Sequence, residues 1–158
     1  MEDILVLGVG NILQRDDGVG VRVIEHLQGA ELPPCVEVFD GGTAALDLLS
    51  VVANRQRLIV VDAVQGGSEA GAIYCFTPDD VETEPHPITS VHQIGLLETL
   101  AMARHLGCSP KSIVIFGVEP KVIDWGLDLS PEVAAVVPDL ARLVLEEACR
   151  PISSGKDG

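Results

Sequence analysis

Ile4-Leu5-Val6-Leu7-Gly8-Val9-Gly10 is a continuous apolar run that ends in glycines. It lacks the polar–apolar alternation of a strand with one wet face, so it predicts a central strand buried on both faces. The segment that follows, Gly18 to Gln28, carries Val19, Val23, Ile24 and Leu27 on one helical face and stops at Gly29. A buried strand leading into a helix is the opening unit of a parallel sheet, and the chain repeats it. Val36 to Phe39 predicts a second strand running into Asp40-Gly41-Gly42-Thr43, where Thr43 can cap a helix carrying Leu46, Leu49 and Val52. Leu58-Ile59-Val60-Val61 predicts a third strand, ending before Asp62.

After Asp62 the rhythm changes. Gln65 to Gly71 is rich in turn residues, and the strand Ala72 to Phe76 follows too soon for a crossover helix, which predicts an antiparallel edge strand. Residues 77–89 combine acidic residues and three prolines without helical or strand period and read as a long loop. Ser90-Val91-His92-Gln93 has the S-x-x-Q spacing of a capping box, opening a helix that reaches Leu106 and stops at Gly107, with His92 in its first turn. Ser112 to Phe116 then predicts a strand leading into Gly117-Val118-Glu119-Pro120, and Pro131 to Cys149 a final amphipathic helix. The whole predicts a single-domain, three-layer α/β/α fold over residues 1–150, with residues 151–158 a flexible C-terminal tail. Its sheet is doubly wound, mostly parallel and five-stranded, with one antiparallel edge strand.

Composition supports that architecture and narrows the partners. Of 158 residues, 47% are hydrophobic but only 3% aromatic, so Val, Leu, Ile and Ala fill the core, and a stacking platform for single-stranded nucleic acid is disfavoured. Twenty-four acidic against ten basic residues give a net charge of -14, which repels nucleic acid and anionic membrane and favours cations or basic segments as partners. Cys35, Cys75, Cys108 and Cys149 form no C-x-x-C pair, and most of them read as buried, reduced thiols. No apolar run approaches the ~20 residues needed to span a bilayer, and no signal sequence is evident, so the expectation is a soluble cytoplasmic protein and, given its complete fold, a monomer.

In a doubly wound sheet, ligands bind at the carboxyl ends of the strands near the switch in strand order. The first strand is followed by Asp16 and Asp17, the second by Asp40, the third by Asp62 and the fifth by Glu119, while His92 begins a helix. Converging carboxylates raise one another's pKa unless a cation lies among them. Asp17, Asp62 and His92 together suit a borderline divalent ion such as zinc, nickel, cobalt or manganese. Singly, each has a plainer use: Asp17 as a helix cap, Asp40 in an Asx turn, His92 as an exposed first-turn residue. His26, His86 and His105 carry less signal, His86 the most because its loop borders the rim.

Gly8-Val9-Gly10-Asn11-Ile12-Leu13 invites a dinucleotide-binding reading, but Leu13 replaces the third glycine of G-x-G-x-x-G. Asp16-Asp17 also places negative charge where a pyrophosphate needs a positive helix end. The chain has no G-x-S-x-G elbow, no H-E-x-x-H helix and no cysteine in a catalytic context.

The ordered set Gly8–Leu13, Asp16-Asp17-Gly18, Gly20-Val21, Asp40-Gly41-Gly42-Thr43, Asp62-Ala63, Ser90 with His92, and Gly117-Val118-Glu119-Pro120 resembles the hydrogenase maturation endopeptidases, from residue 4 to about 146. The resemblance implies an aspartyl protease-like endopeptidase that removes a C-terminal extension from the nickel-iron hydrogenase large-subunit precursor after nickel insertion. It implies metal ligation by Asp17, Asp62 and His92, with nickel belonging to the precursor and other divalent metals able to substitute. Asp40 matches the family's Asp-Gly-Gly-Thr aspartate and Asp16 the acidic residue before the ligand; either is a candidate catalytic base. Ala70-Gly71 replaces a common Pro-Gly, and the acidic, proline-rich stretch Asp79 to Pro87 falls in a segment that varies across the family and could select the hydrogenase processed. A non-catalytic nickel-binding chaperone or docking module for the same precursor is the alternative.

Overall fold

The computed structural model describes residues 3–42, 48–82 and 91–151, with the backbone alone at 81–82 and 91–95. Its strands are β1 (Ile4–Val9), β2 (Val36–Gly42), β3 (Arg57–Ala63), β4 (Ile73–Phe76) and β5 (Ser112–Val118). Its α-helices are α1 (Val19–Gln28), α2 (Leu49–Val52), α3 (Pro78–Glu82), α4 (Val91–His105) and α5 (Pro131–Cys149). The strands lie in the order β2-β1-β3-β5-β4, the first four parallel and β4 antiparallel to β5 at the edge. The chain runs from β1 outward to β2, then returns to the other side of β1 as β3. The switch in strand order therefore lies at the ends of β1 and β3, the two strands buried along their whole length.

Alternation along the buried strands sorts the side chains into two cores. Ile4, Val6, Ile59, Val61, Phe116 and Val118 pack with α1 and α5. Leu5, Leu7, Val9, Leu58, Val60 and Ile115 pack with Leu48 and Val52 of the α2 segment and Leu96 and Leu100 of α4. The chain is thus a three-layer domain, as the apolar runs predict. At the foot of the sheet, buried Arg57 donates from Nη1 to the carbonyls of Glu147 at 2.7 Å and Arg150 at 2.8 Å, closing the last turn of α5.

Several expectations need correction or fall elsewhere. Residues 78–82 are helical rather than loop: Pro78 needs no N–H partner in a first turn, Asp79 and Asp80 favour a helix N-terminus, and Thr77 N–H donates to Asp80 Oδ2 at 2.9 Å. The cysteines are reduced but not buried. Cys35, Cys75 and Cys149 are exposed because they lie before β2, on the edge strand and at the end of α5. The cap by Thr43, the capping box at Ser90, His86 and residues 152–158 lie outside the described residues. No described helix is long and apolar enough to cross a membrane.

One close approach sets the geometry where the strands end. A Cβ on Gly20 would lie 2.2 Å from the Val61 carbonyl oxygen and 2.5 Å from that of Val9; one on Gly8 would lie 2.4 Å from the Gly20 carbonyl oxygen. The start of α1 therefore rests directly on the backbones of β1 and β3, at the switch point. Gly20→Ala forces these backbones apart and is expected to lower stability by about 2–3 kcal/mol, measured by urea denaturation; a loss below about 0.5 kcal/mol would show that the contact can relax.

Candidate functional site at the carboxyl ends of the strands

Between β1 and α1 the chain makes a 3-10 turn, Arg15–Gly18, with Arg15 in the left-handed region at φ 52°. Gly10, at φ 143°, lets the loop leave β1, and its N–H donates to the Gly42 carbonyl at 2.8 Å, joining the ends of β1 and β2.

The turn's two adjacent aspartates point to different surroundings. Asp16 is fully buried. Its Oδ2 accepts from the N–H groups of Lys121 (2.8 Å) and Val122 (2.9 Å) and from the Ser130 hydroxyl (2.8 Å), and its Oδ1 from the Ser130 N–H (2.7 Å). Burial pushes the Asp16 carboxyl upward, but the N–H groups of Ser130, Val122 and Lys121, with the Ser130 hydroxyl, outweigh it and hold the group below its ordinary value. Asp16 thus fastens the loop between β5 and α5 to the loop after β1. Asp17 is half-buried, and its Oδ2 accepts from the Asn11 N–H at 3.0 Å.

Asp62 is the sixth residue of β3, 1% exposed, and its Oδ1 accepts from Ala63 N–H at 2.8 Å. By alternation it shares the sheet face of Leu58 and Val60, the face covered by α4. The C-terminal end of α4 lies at the foot, where the Cys108 carbonyl accepts from Asn54 N–H at 2.8 Å, so α4 begins at the rim end of that face. His92 is its second residue; the His92 side chain lies outside the described residues. Asp17 and Asp62 are thus delivered to the switch point from β1 and β3. Among the described residues no three His, Cys, Asp or Glu side chains gather as metal ligands.

Asp40 is exposed at the end of β2, opposite Gly8 in the β1 register, and its Oδ1 accepts from Gly42 N–H at 2.9 Å in an Asx turn. It lies across β1 from Asp62, about 10 Å away at two strand spacings, and by alternation on the α1 side of the sheet. The structure therefore does not cluster Asp40 with Asp62. The backbone between them is glycine-rich, with Gly8 and Gly10 on β1 and its loop and Gly41 and Gly42 beside Asp40, and the start of α1 and the turn before it close onto Gly8 and Gly10. Of the two candidate bases, Asp16 has both oxygens occupied by donors, whereas Asp40 has solvent access.

Glu119 has a structural role that its sequence position did not reveal. Its Oε1 accepts from Gly66 N–H (2.8 Å), Ser68 N–H (3.2 Å) and the Tyr74 hydroxyl. Burial pushes its carboxyl upward, but Tyr74 and these backbone donors hold it below its ordinary value. Glu119 pins the loop after β3 to β4, leaving Asp62 as that side's carboxylate at the switch. His26 and His105 are exposed toward the foot, away from this rim. A groove of about 420 Å³ between α1 and α5, lined by His26, Pro138 and Cys149 among others, also lies toward the foot.

Comparison with known proteins points in one direction. The family described as hydrogenase maturation protease matches residues 21–147. Hydrogenase 2 maturation protease of Escherichia coli strain K12 is 40% identical over 144 residues, covering 90% of this chain and 88% of its own. The hydrogenase expression/formation protein HupD of Bradyrhizobium diazoefficiens is 40% identical over 150 residues, covering 91% and 78%. Among solved structures, the hydrogenase maturating endopeptidase HybD from E. coli superposes with a TM-score of 0.83 at 37% identity, covering 93% of this chain and 91% of that one. The [NiFe] hydrogenase maturation protease HybD from Thermococcus kodakarensis gives 0.76 at 26% identity, covering 94% and 99%.

The geometry of Asp16 generates a prediction with a defined sign. Its folded pKa is depressed, so its contribution is fully present above the unfolded Asp value near ~4 and is lost as pH falls from there through the folded value. Asp16→Asn presents an amide to donors and is expected to cost about 2–4 kcal/mol at pH 7, a penalty that shrinks below about pH 4. Urea denaturation across that range checks both points; a penalty independent of pH would contradict the anchoring role of the charge.

Proposed function

Because the chain belongs to the hydrogenase maturation protease family and is therefore a peptidase, we propose that it removes the C-terminal extension of a nickel-iron hydrogenase large-subunit precursor after nickel has been inserted. The observation that carries this reading is the delivery of Asp17 and Asp62, from the ends of two different strands, to the switch point at the end of the sheet where α4 begins, with His92 its second residue. Such a group is an incomplete coordination shell. It suits an ion presented by the substrate, because it supplies two or three ligands and leaves the remaining positions to the precursor.

Asp17, Asp62 and His92 engage the precursor's nickel and so hold the polypeptide at the rim. The polypeptide held there runs past the strand ends toward Asp40, which is exposed at the end of β2. Asp40 accepts a proton from water as the oxygen adds to the scissile carbonyl carbon; the carbon–nitrogen bond then breaks as Asp40 returns that proton to the leaving amine and is regenerated as the carboxylate. The substrate's ion, where it touches the carbonyl, adds Lewis-acid polarisation. A chaperone built on the same rim would bind the precursor and leave it uncut.

Asp17→Ala, Asp62→Ala and His92→Ala are each expected to abolish processing of the precursor, followed by intact mass, while circular dichroism shows a retained fold. Normal processing by His92→Ala would refute the metal-engaging group. Asp40→Asn is expected to slow cleavage by about 10²–10⁴-fold without weakening precursor binding; an unchanged rate would move proton transfer away from Asp40 to water on the substrate's ion.

A further inference from the structure

The loop between β5 and α5 carries Ile123, Trp125 and Leu127, exposed by 41%, 74% and 57%, and beside it on the loop after β1 stands Leu13, exposed by 50%. Trp125 is the only tryptophan of the chain. These side chains form one patch, because the two loops are laced backbone to backbone: Gly126 N–H donates to the Leu13 carbonyl at 2.9 Å and Arg15 N–H to the Gly126 carbonyl at 3.0 Å. Arg15 Nε donates to the Asp128 carbonyl and Arg22 Nη2 to the Leu127 carbonyl, and Asp16 grips the loop at Lys121, Val122 and Ser130. A loop held at so many points cannot fold its apolar residues inward, so it presents them to water as a fixed surface. Large apolar residues held together on a surface mark an interaction site, and tryptophan is the residue most enriched where binding energy concentrates.

The charge around the patch selects its occupant. The neighbouring cations are engaged: Arg22 with Glu25, Lys121 with Glu132, and Arg15 with the loop backbone. The side chains of Asp124 and Asp128 stand exposed beside the apolar ones, on a chain whose net charge is -14. The surface is apolar with a negative border, and it is continuous with the rim because Asp16, which holds it, is the residue before Asp17.

We propose that Leu13, Ile123, Trp125 and Leu127 form the docking surface for the protein substrate, taking an apolar segment of the precursor with a lysine or arginine beside it at Asp124 and Asp128. This rests on the proposed function for the identity of the substrate. It adds a second point of contact on the α1–α5 side of the rim, which fixes the orientation in which the polypeptide crosses the strand ends.

Steady-state cleavage and equilibrium binding of purified hydrogenase large-subunit precursor, compared between the unaltered protein and the Trp125→Ser and Leu127→Ser variants, test the surface. The expected result is a rise in KM and Kd of about tenfold or more, with kcat within about twofold and circular dichroism unchanged. Asp128→Asn is expected to raise Kd by a few-fold at low salt, a difference that closes at high salt. Efficient cutting with unchanged KM and Kd in both apolar variants overturns the docking surface while leaving the peptidase reading intact. Binding without cutting by the unaltered protein, with binding lost in Trp125→Ser, supports the surface and overturns the hydrolytic reading. A dimer in sedimentation that Trp125→Ser converts to monomer, with no change in KM, assigns the patch to a second copy of the chain and overturns the proposal.

Discussion

A fully buried carboxylate with four donors holds the working end of this protein together. Asp16 sits one residue before Asp17, and what it grips, Lys121, Val122 and Ser130, lies more than a hundred residues away between β5 and α5. Ser130 stands at the N-cap of α5 and gives its hydroxyl to Asp16 rather than to its own helix. The charge therefore lies near the positive end of α5 as well as among N–H groups, which is why burial does not neutralise it. That tie, together with the backbone bonds that Leu13 and Arg15 make to Gly126, joins the loop after β1 to the loop after β5 and fixes both Asp17 and the exposed face around Trp125.

The second constraint is steric. Gly8 and Gly20 remove the side chains that would separate α1 from β1 and β3, so the helix begins against the sheet at the switch in strand order. Together the two constraints hold the start of α1 and the loops after β1 and β5 against the strand ends, as a constellation drawn from several elements requires. Stability and function are divided along the strands. Arg57 at the start of β3 closes α5 at the foot, and Asp62 near the end of the same strand faces the rim.

Much of the fold was legible in the sequence because its signals are local. Apolar runs without alternation mark β1 and β3, and the short spacing before β4 excludes a crossover and so gives an antiparallel edge. The single helical turn at Pro78–Glu82 was not legible, since five residues are too few to show a period. Nor was the exposure of the cysteines, which depends on where strand ends and helix ends meet water. At the site, the delivery of Asp17 and Asp62 to one end of the sheet follows from strand order and was legible. The different fates of Asp16, Asp40 and Glu119 were not. Each follows a strand, and only contacts with distant residues show that Asp16 and Glu119 fasten loops whereas Asp40 meets solvent. The exposed apolar loop was equally hidden, because Ile123, Trp125 and Leu127 carry no periodic signal and gain meaning only from their accessibility.

The proposed function stands or falls on whether nickel held by the substrate, met by Asp17, Asp62 and His92, directs cleavage of the chain that holds it. The most direct test is the intact mass of purified hydrogenase large-subunit precursor after incubation with this protein, nickel-loaded against nickel-free. The account predicts loss of a C-terminal peptide from the loaded form only; equal cleavage of both forms, or of neither, would contradict it.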